Sequence, residues 1–403
     1  MAVDMGVNVM LVGVGFFPRA MAGDKNFWIR IAPLLQERGA RLVALSINDK
    51  TGSEETSGGL KIINLKRSFH LGNPERFFSS IGDAVDYKHK HHRAADSLEL
   101  LLTAARNLRA IRSTIQAEGT QVVHFMDNMG PAMRFLKSRI PEAIFTNSQI
   151  RYNGGRMYDA YVRASMLGLD ATVAYSDSCR QLLIKAGLPP KQIQVIRWGV
   201  KPDEVEPDPQ RTQATRSELG VLEGENLILW SGIISHIQGP EFEAGVSAAR
   251  DIAAGRPDCR FVFSFKPLCF SPKFKRFEAE RVSVRGDIYD FQAALAAADF
   301  FYSPTHKPDA HVAPPLTWIE AMNFGAPVIT TRTPGVEEVI EDRFTGFLAD
   351  SINDIGAAVY AAIDAPDRAE VRRNCRAIVR RKFDISNSAD QYVRLWTNLA
   401  KQP

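Results

Sequence analysis

Cysteine is scarce in this sequence. The chain of 403 residues contains four cysteines, Cys179, Cys259, Cys269 and Cys375, which lie far apart without CxxC spacing. A disulfide scaffold needs a dense set of cysteines, and a cysteine zinc site needs closely spaced pairs. The scarcity therefore argues against both, and it favours reduced, buried thiols in a cytoplasmic protein.

Long apolar runs are also missing. The first segment, MAVDMGVNVMLVGVGFF, is apolar over too few residues to span a bilayer and has no cationic stretch before it. No later window reaches the roughly twenty apolar residues that a transmembrane helix needs. We expect at most peripheral contact with a membrane, and we interpret the first segment as a buried strand.

The sequence also lacks an excess of one charge sign. The 50 lysines and arginines nearly balance the 46 acidic residues, and the net charge of +4 is spread along the chain. Because no basic face is implied, a nucleic-acid partner is not expected. The 45% of hydrophobic residues suffices for two or three cores, and two domains are the simplest expectation.

Short apolar runs that alternate with helical patterns are what the sequence does contain. Residues 7–13 (VNVMLVG), 40–46, 122–126, 143–148 and 171–176 predict strands, and most are separated by amphipathic segments. Continuous apolar runs are typical of strands that are covered on both faces. The alternation predicts right-handed crossovers in a parallel, doubly wound sheet.

A polar segment with three prolines, residues 201–215, interrupts this pattern, and a second series of strands and helices follows it. We therefore predict an α/β protein with two Rossmann-like β/α/β domains facing a cleft. The predicted first domain covers residues 1–200 and the second covers 216–385. Residues 386–403 are predicted to form a helix that returns to the first domain.

Glycines after the first predicted strand are candidates for close approach to a phosphate. Gly15 and Gly23 lie in VGVGFFPRAMAGD, at the strand-to-helix turn where open parallel sheets bind ligands. The GxG is followed by Phe16, Phe17 and Pro18 rather than by a third glycine that opens a helix. A tight turn alone is therefore the competing interpretation.

The second half of the chain resembles a known family. The segments LILWSGIISHIQGPEF, DIYDFQAALAAADFFYSPT, PPLTWIEAMNFGAPVITT, PGVEEVI and TGFLAD resemble the GT-B glycosyltransferases of the large retaining family, family 4-like, which includes bacterial mannosyltransferases and sucrose-type synthases. The resemblance covers nearly the whole chain and is most specific over residues 294–350. It implies transfer of a sugar from a nucleotide-sugar donor to a small-molecule or glycan acceptor, with retention of configuration and without a metal or other cofactor.

The resemblance also implies a set of binding residues. Glu320 falls on the position whose carboxylate accepts hydrogen bonds from the ribose hydroxyls of the nucleotide, and a carboxylate can accept from two donors at once. The alternative is a carboxylate at a helix N-terminus that only favours the helix dipole. Backbone N–H groups near Gly232 and in the turn at Gly335 and Val336 are expected to stabilise the charge of the leaving group.

Several positions depart from the family pattern. Val312 stands where the family has a glutamate that faces the sugar, Ile233 and Gln238 replace the arginine and lysine of the diphosphate site, and Ser148 replaces a cleft histidine. Each lost cation removes charge-assisted hydrogen bonds of about 1.5–3 kcal/mol. We therefore expect either replacement cations or a donor that carries less charge.

Candidates for these roles lie beside predicted strand ends. His236 and Lys266 come first as replacement cations, followed by Arg197, Lys201 and Arg332. His306, Asp309 and His311 lie near the lost glutamate, and we assign Asp309, His311 and Ser148 as the candidate catalytic residues; a metal site at this cluster is the less favoured interpretation. A catalytically silent binding protein, a phosphorylase and a pseudo-glycosyltransferase stay open as alternatives.

Overall fold

The computed structural model describes residues 6–14, 23–48, 52–55, 60–66, 92–149, 156–202, 208–232, 239–265, 270–304 and 314–402. These residues form two compact units. The first unit holds the described residues up to Gly199 together with those from Ile385 onward, and the second unit holds those of Val200–Asp384. Within the described ranges, no helix is both long enough and apolar enough to cross a membrane.

The first unit is built on an eight-stranded sheet with the order β3-β4-β2-β1-β5-β6-β7-β8. Its strands are β1 (Asn8–Val14), β2 (Arg41–Asn48), β3 (Gly52–Glu55), β4 (Lys61–Lys66), β5 (Val122–Phe125), β6 (Ile144–Gln149), β7 (Ala171–Ala174) and β8 (Ile193–Val195). Neighbouring strands are parallel except for β3, which runs antiparallel to β4 at the edge.

The second unit is built on a six-stranded parallel sheet with the order β11-β10-β9-β12-β13-β14. Its strands are β9 (Asn226–Gly232), β10 (Cys259–Phe265), β11 (Val282–Arg285), β12 (Phe300–Ser303), β13 (Val328–Thr331) and β14 (Gly346–Ala349). This is the 3-2-1-4-5-6 order of a doubly wound Rossmann fold. Leaving aside β3, the first sheet follows the same order and adds β8 at its far edge.

Helices connect the strands of both sheets. In the first unit they are α1 (Gly23–Glu37), α2 (His92–Arg106), α3 (Leu108–Ala117), α4 (Ala132–Arg139), α5 (Arg156–Met166) and α6 (Asp177–Lys185). In the second unit they are α7 (Pro209–Glu218), α8 (Gly239–Gly255), α9 (Phe291–Ala297), α10 (Leu316–Asn323), α11 (Ile355–Ile363) and α12 (Arg368–Lys382). The last helix, α13 (Ile385–Ala400), belongs to the first unit and packs against α1.

Sequence patterns predicted the apolar strands of both sheets and missed the polar ones. The structure adds β3, β4 and β8, whose sequences GSEE, KIINLK and IQV are short or interrupted by polar residues and give no continuous apolar run. All three lie at or next to a sheet edge, where one side of a strand can be exposed to water. The helix α7 begins inside the segment that we predicted as a linker.

Candidate functional site

The carboxyl edge of the second sheet is where a ligand site is expected. The strand order reverses between β9 and β12, and doubly wound sheets bind ligands at that switch point, beyond the carboxyl ends of the strands. β9 ends at Gly232 and β12 ends at Ser303. The candidates His236, Lys266, Asp309 and His311 lie in neighbouring segments outside the described residues, as does Gly15 of the first unit.

Gly232 allows the backbone to lie close to an aromatic ring. A Cβ atom at this position would meet Cζ2 of Trp230 at 2.7 Å, so a larger residue would force the indole to move. The ring of Trp230 is itself held by Phe242 and Phe265, each with its centroid 5.3 Å away. The end of β9 is thus a fixed and partly exposed stretch of backbone, suitable for N–H contacts to a ligand.

Glu320 lies on the accessible stripe of an otherwise buried helix. Six residues of α10 are buried, among them Trp318 and Ile319, whereas Thr317 and Glu320 are half-buried. Because they are three positions apart, Thr317 and Glu320 lie on one helical face. The sequence interpretation missed Thr317, although its i, i+3 spacing from Glu320 was a usable signal.

The position of Glu320 also corrects the dipole alternative. The helix begins at Leu316, so Glu320 is in its second turn, and the first turn contains no acidic residue. Since the dipole effect falls off within the first turn, it gives no reason for a carboxylate at this position. The ribose-binding role of Glu320 stays a prediction.

The C-terminal end of α10 is anchored from two directions. Asn323 Nδ2 donates to the carbonyl of Lys201 at 3.2 Å, and Arg376 Nη2 of α12 donates to the carbonyl of Phe324 at 3.1 Å. Gly325 follows with φ of 78°, where a Cβ would meet the Arg376 guanidinium at 2.9 Å. These contacts fix the helix that carries Glu320, so the carboxylate is held by a rigid element.

The glycine turn after β13 contributes less than the sequence implied. Gly335 adopts φ of 86°, a left-handed conformation that favours glycine, and it precedes a 3₁₀ turn at Val336–Glu338. The N–H of Val336 donates to the carbonyl of Thr333 at 3.0 Å, and its side chain is buried. The Val336 amide therefore has a partner within the protein, which leaves Gly335 as the stronger candidate for backbone contact.

Two of the replacement cations are already paired. Arg332 binds Asp350 at 2.9 Å and Asp342 at 3.0 Å, and Arg197 pairs with Asp177 in the first unit. A guanidinium shared between carboxylates offers less net charge to a phosphate than a single cation does. Lys201, the third described candidate, is exposed, and its carbonyl supports α10.

Ser148 lies in the core of the first unit. Its hydroxyl is 2.9 Å from the hydroxyl of Tyr392 and 3.0 Å from Nε2 of His124, and His124 Nδ1 is 2.8 Å from the hydroxyl of Thr146. Ser148 and His124 are fully buried. The observed partners give Ser148 a packing role, and its catalytic role stays a prediction. Gly23, the other candidate of this unit, is the first residue of α1.

Burial controls the charge of this cluster. It lowers the pKa of His124 to about 3 and raises the pKa of the Tyr392 phenol above its ordinary value. The neutral imidazole is enclosed by Trp28, Tyr392 and Trp396, with ring centroids at 4.9, 5.5 and 5.4 Å. We did not single out His124 from the sequence, although a histidine inside the apolar run VVHFM was a visible signal.

Comparison with known proteins adds to this geometry. A family described as "Glycosyltransferase Family 4" matches residues 29–204, and one described as "Glycosyl transferases group 1" matches residues 246–365. The matches fall on both units and include Glu320, Gly335 and the ends of the strands around them. The chain is a family 4-like glycosyltransferase of the GT-B fold.

Solved structures of similar fold cover almost the whole glycosyltransferase chain. Sucrose-phosphate synthase from Thermosynechococcus elongatus matches with a TM-score of 0.74 and 15% identity over 98% of this chain and 99% of that one. A glycosyltransferase from Rickettsia africae matches with a TM-score of 0.71 and 17% identity over 98% of this chain and 99% of that one. HepE from Anabaena, solved with UDP and glucose, matches with a TM-score of 0.69 and 15% identity over 97% of this chain and 100% of that one. No curated protein sequence matches the chain.

Proposed function

We propose that this glycosyltransferase moves a sugar from a nucleotide-linked donor to a small acceptor, with retention of configuration. The observation that carries the proposal is the stripe of Thr317 and Glu320 on a buried, anchored helix at the switch-point edge of the second sheet. Structures of similar fold support a nucleotide-sugar donor, since HepE was solved with UDP-glucose and an E. coli protein with UDP-2-fluoro glucose. The widely spaced cysteines support a cytoplasmic location.

Each candidate residue has a role in this proposal. Glu320 accepts hydrogen bonds from the ribose hydroxyls, and the Thr317 hydroxyl adds a donor on the same helical face. The backbone at Gly232 and Gly335 faces the diphosphate, with His236 and Lys266 as the cations that replace the family pair. Asp309 and His311 contact the hydroxyls of the donor sugar.

The chemistry needs positioning more than it needs a strong base. In a retaining transfer of this kind, the leaving phosphate takes the proton from the acceptor hydroxyl on the face at which the new bond forms. The protein then holds the two reactants in line and stabilises the developing charge on the phosphate. In this proposal no metal is required for either task.

A catalytically silent nucleotide-binding protein is the second candidate. Two observations favour it: Ile233 and Gln238 stand in place of the diphosphate cations, and Arg332 and Arg197 are bound to carboxylates rather than open to a phosphate. Such a protein would retain the ribose contact of Glu320 while lacking transfer activity.

Calorimetry with UDP tests the ribose contact. We expect Glu320→Gln to weaken UDP binding by about 1–3 kcal/mol, or roughly 5- to 150-fold in Kd, because it removes a charged acceptor from two hydroxyl donors. Glu370→Gln, at an exposed carboxylate of α12, is the matched control and should leave the Kd unchanged. An unchanged Kd for Glu320→Gln would contradict the assignment.

Donor hydrolysis separates the two candidate functions. An active transferase should release glucose slowly from UDP-glucose when no acceptor is present, and Glu320→Gln should slow this release. UDP binding without any hydrolysis or transfer would favour the silent protein. Absence of binding to UDP, GDP and ADP would contradict both candidates.

A further inference from the structure

A groove in the first unit lies away from the carboxyl edge of its sheet. It is an open groove with a volume of about 870 Å³ between α13, the turns that precede β7 and β8, and the edge strand β8. This volume is within the range of about 300–1,000 Å³ that small-molecule sites occupy. None of the candidate site residues named above lines the groove, so it is a separate place on the molecule.

Helix α13 forms one wall of the groove with a regular polar stripe. On the helix the stripe consists of Gln391, Arg394 and Asn398, at spacings of three and four residues, and Gln402 follows just beyond the helix end. Leu395 and Leu399 of the helix also line the groove. The opposite face of α13 is held in the core by Tyr392 and Trp396. The polar stripe is therefore presented by a helix that cannot rotate without disrupting the core.

The charges in the groove leave a positive balance. Lys191 and Arg394 both line it, and neither side chain has an ion pair or hydrogen bond among the residues that the structure describes. The acidic residue of the lining, Asp170, is bound to Lys137 Nζ at 2.6 Å and to the backbone N–H of Phe145 at 2.7 Å. Its charge is compensated from outside the groove, so an anion is the complementary ligand.

The side-chain amides of the groove indicate which groups the ligand carries besides an anion. Gln194, Gln391, Asn398 and Gln402 each offer both donors and acceptors, which suits neighbouring hydroxyl groups. The described residues that line the groove include no aromatic ring, so a stacking surface for a nucleobase is missing. We propose that the groove binds a polyhydroxylated phosphate ester, of the sugar phosphate class, between Lys191 and Arg394.

The test compares glucose 6-phosphate, inorganic phosphate and glucose as probes of the full chain. We expect glucose 6-phosphate to protect residues 187–196 and 391–402 from hydrogen exchange, and the double variant Lys191→Ala/Arg394→Ala to weaken its binding about tenfold or more. Lys185→Ala, at an exposed lysine of the same unit, should leave binding unchanged. Hydrogen exchange locates the ligand without relying on transferase activity.

A second pair of variants tests the amides. Gln391→Ala and Asn398→Ala should weaken binding of glucose 6-phosphate and leave that of inorganic phosphate unchanged. Equal affinity for the two probes would overturn the sugar part of the proposal. The site would be overturned if glucose 6-phosphate did not bind, if Lys185→Ala weakened binding equally, or if protection from exchange appeared only elsewhere in the chain. It would also be overturned if the protein sedimented with phosphatidylinositol vesicles without binding the soluble ester.

Discussion

The two sheets share a strand order and differ in what holds their centres together. In the first unit the central strands carry buried polar residues, including His124, Thr146 and Ser148, which are linked by hydrogen bonds. In the second unit aromatic residues of the central strands pack on one another and on a neighbouring 3₁₀ turn: Phe261 of β10 lies 5.3 Å from Tyr302 of β12, and Phe265 of β10 stacks on Phe274 at 4.8 Å. One architecture can therefore be stabilised by a polar network or by aromatic packing, and the two should respond differently to mutation and to acid.

The largest expected effect is the loss of an aromatic ring from the second core. Phe265 is 1% exposed, so Phe265→Ala removes a stacked ring and leaves a cavity, at a cost of about 3–5 kcal/mol. Tyr289→Ala removes an aromatic ring that is 84% exposed and should change stability by less than about 0.5 kcal/mol. Urea unfolding followed by hydrogen exchange would measure the loss in each sheet. An equal loss in the first sheet would contradict the separation of the two cores.

Acid should destabilise the first core specifically. Because burial lowers the pKa of His124 to about 3, the unfolded chain binds a proton between about pH 6.5 and 3 that the folded chain excludes. The free energy of unfolding therefore keeps its full value above pH 6.5 and decreases as the pH drops, by about 3 kcal/mol at pH 4. His124→Gln should flatten this dependence whatever its effect at neutral pH. An unchanged pH profile in that variant would show that His124 is not the group responsible.

Removal of one hydroxyl should have a smaller effect on the same network. Tyr392→Phe leaves the ring contacts of α13 in place and deletes a partner of Ser148, so we expect a loss of about 1 kcal/mol in the free energy of unfolding. Tyr360→Phe, at an exposed tyrosine of α11, is the control and should be neutral. A neutral Tyr392→Phe would mean that packing alone holds the helix.

The smallest effect concerns backbone strain, which also differs between the units. Positive φ in the first unit falls on glycines in the described residues, whereas the second unit has Arg281 at φ 58° and Arg343 at φ 60°. A non-glycine residue in this region costs about 1–2 kcal/mol, and glycine costs about 0.5–1 kcal/mol of extra chain entropy. Arg343→Gly should therefore be neutral or stabilising by up to about 1 kcal/mol in thermal unfolding.

Arg373→Gly gives the matched opposite case. Arg373 is exposed in the middle of α12, where glycine lowers helix stability by about 1 kcal/mol. Both substitutions replace arginine by glycine, and only Arg373→Gly should lower the stability. A shared sign would show that φ at Arg343 is not strained.

The sequence by itself determined the fold class, because apolar runs of strand length that alternate with amphipathic helices have few other ways to bury their surface. It also directed attention to Glu320, since a carboxylate in the otherwise apolar stretch PLTWIEAM needs a reason. The strands β3, β4 and β8, at or next to a sheet edge, were missed because they are short or interrupted by polar residues and carry no continuous apolar pattern.

Only the tertiary structure decided which polar residues are open to a ligand and which are committed to the protein. Sequence spacing cannot show that Arg332 is held by two aspartates or that Ser148 meets Tyr392 from the far end of the chain. A hydrogen bond or an ion pair depends on distances of about 3 Å between groups that folding brings together, and the order of residues in the sequence does not give these distances. The same holds for the groove beside α13, whose walls are separated by some two hundred residues of sequence and meet because the last helix packs on the first unit.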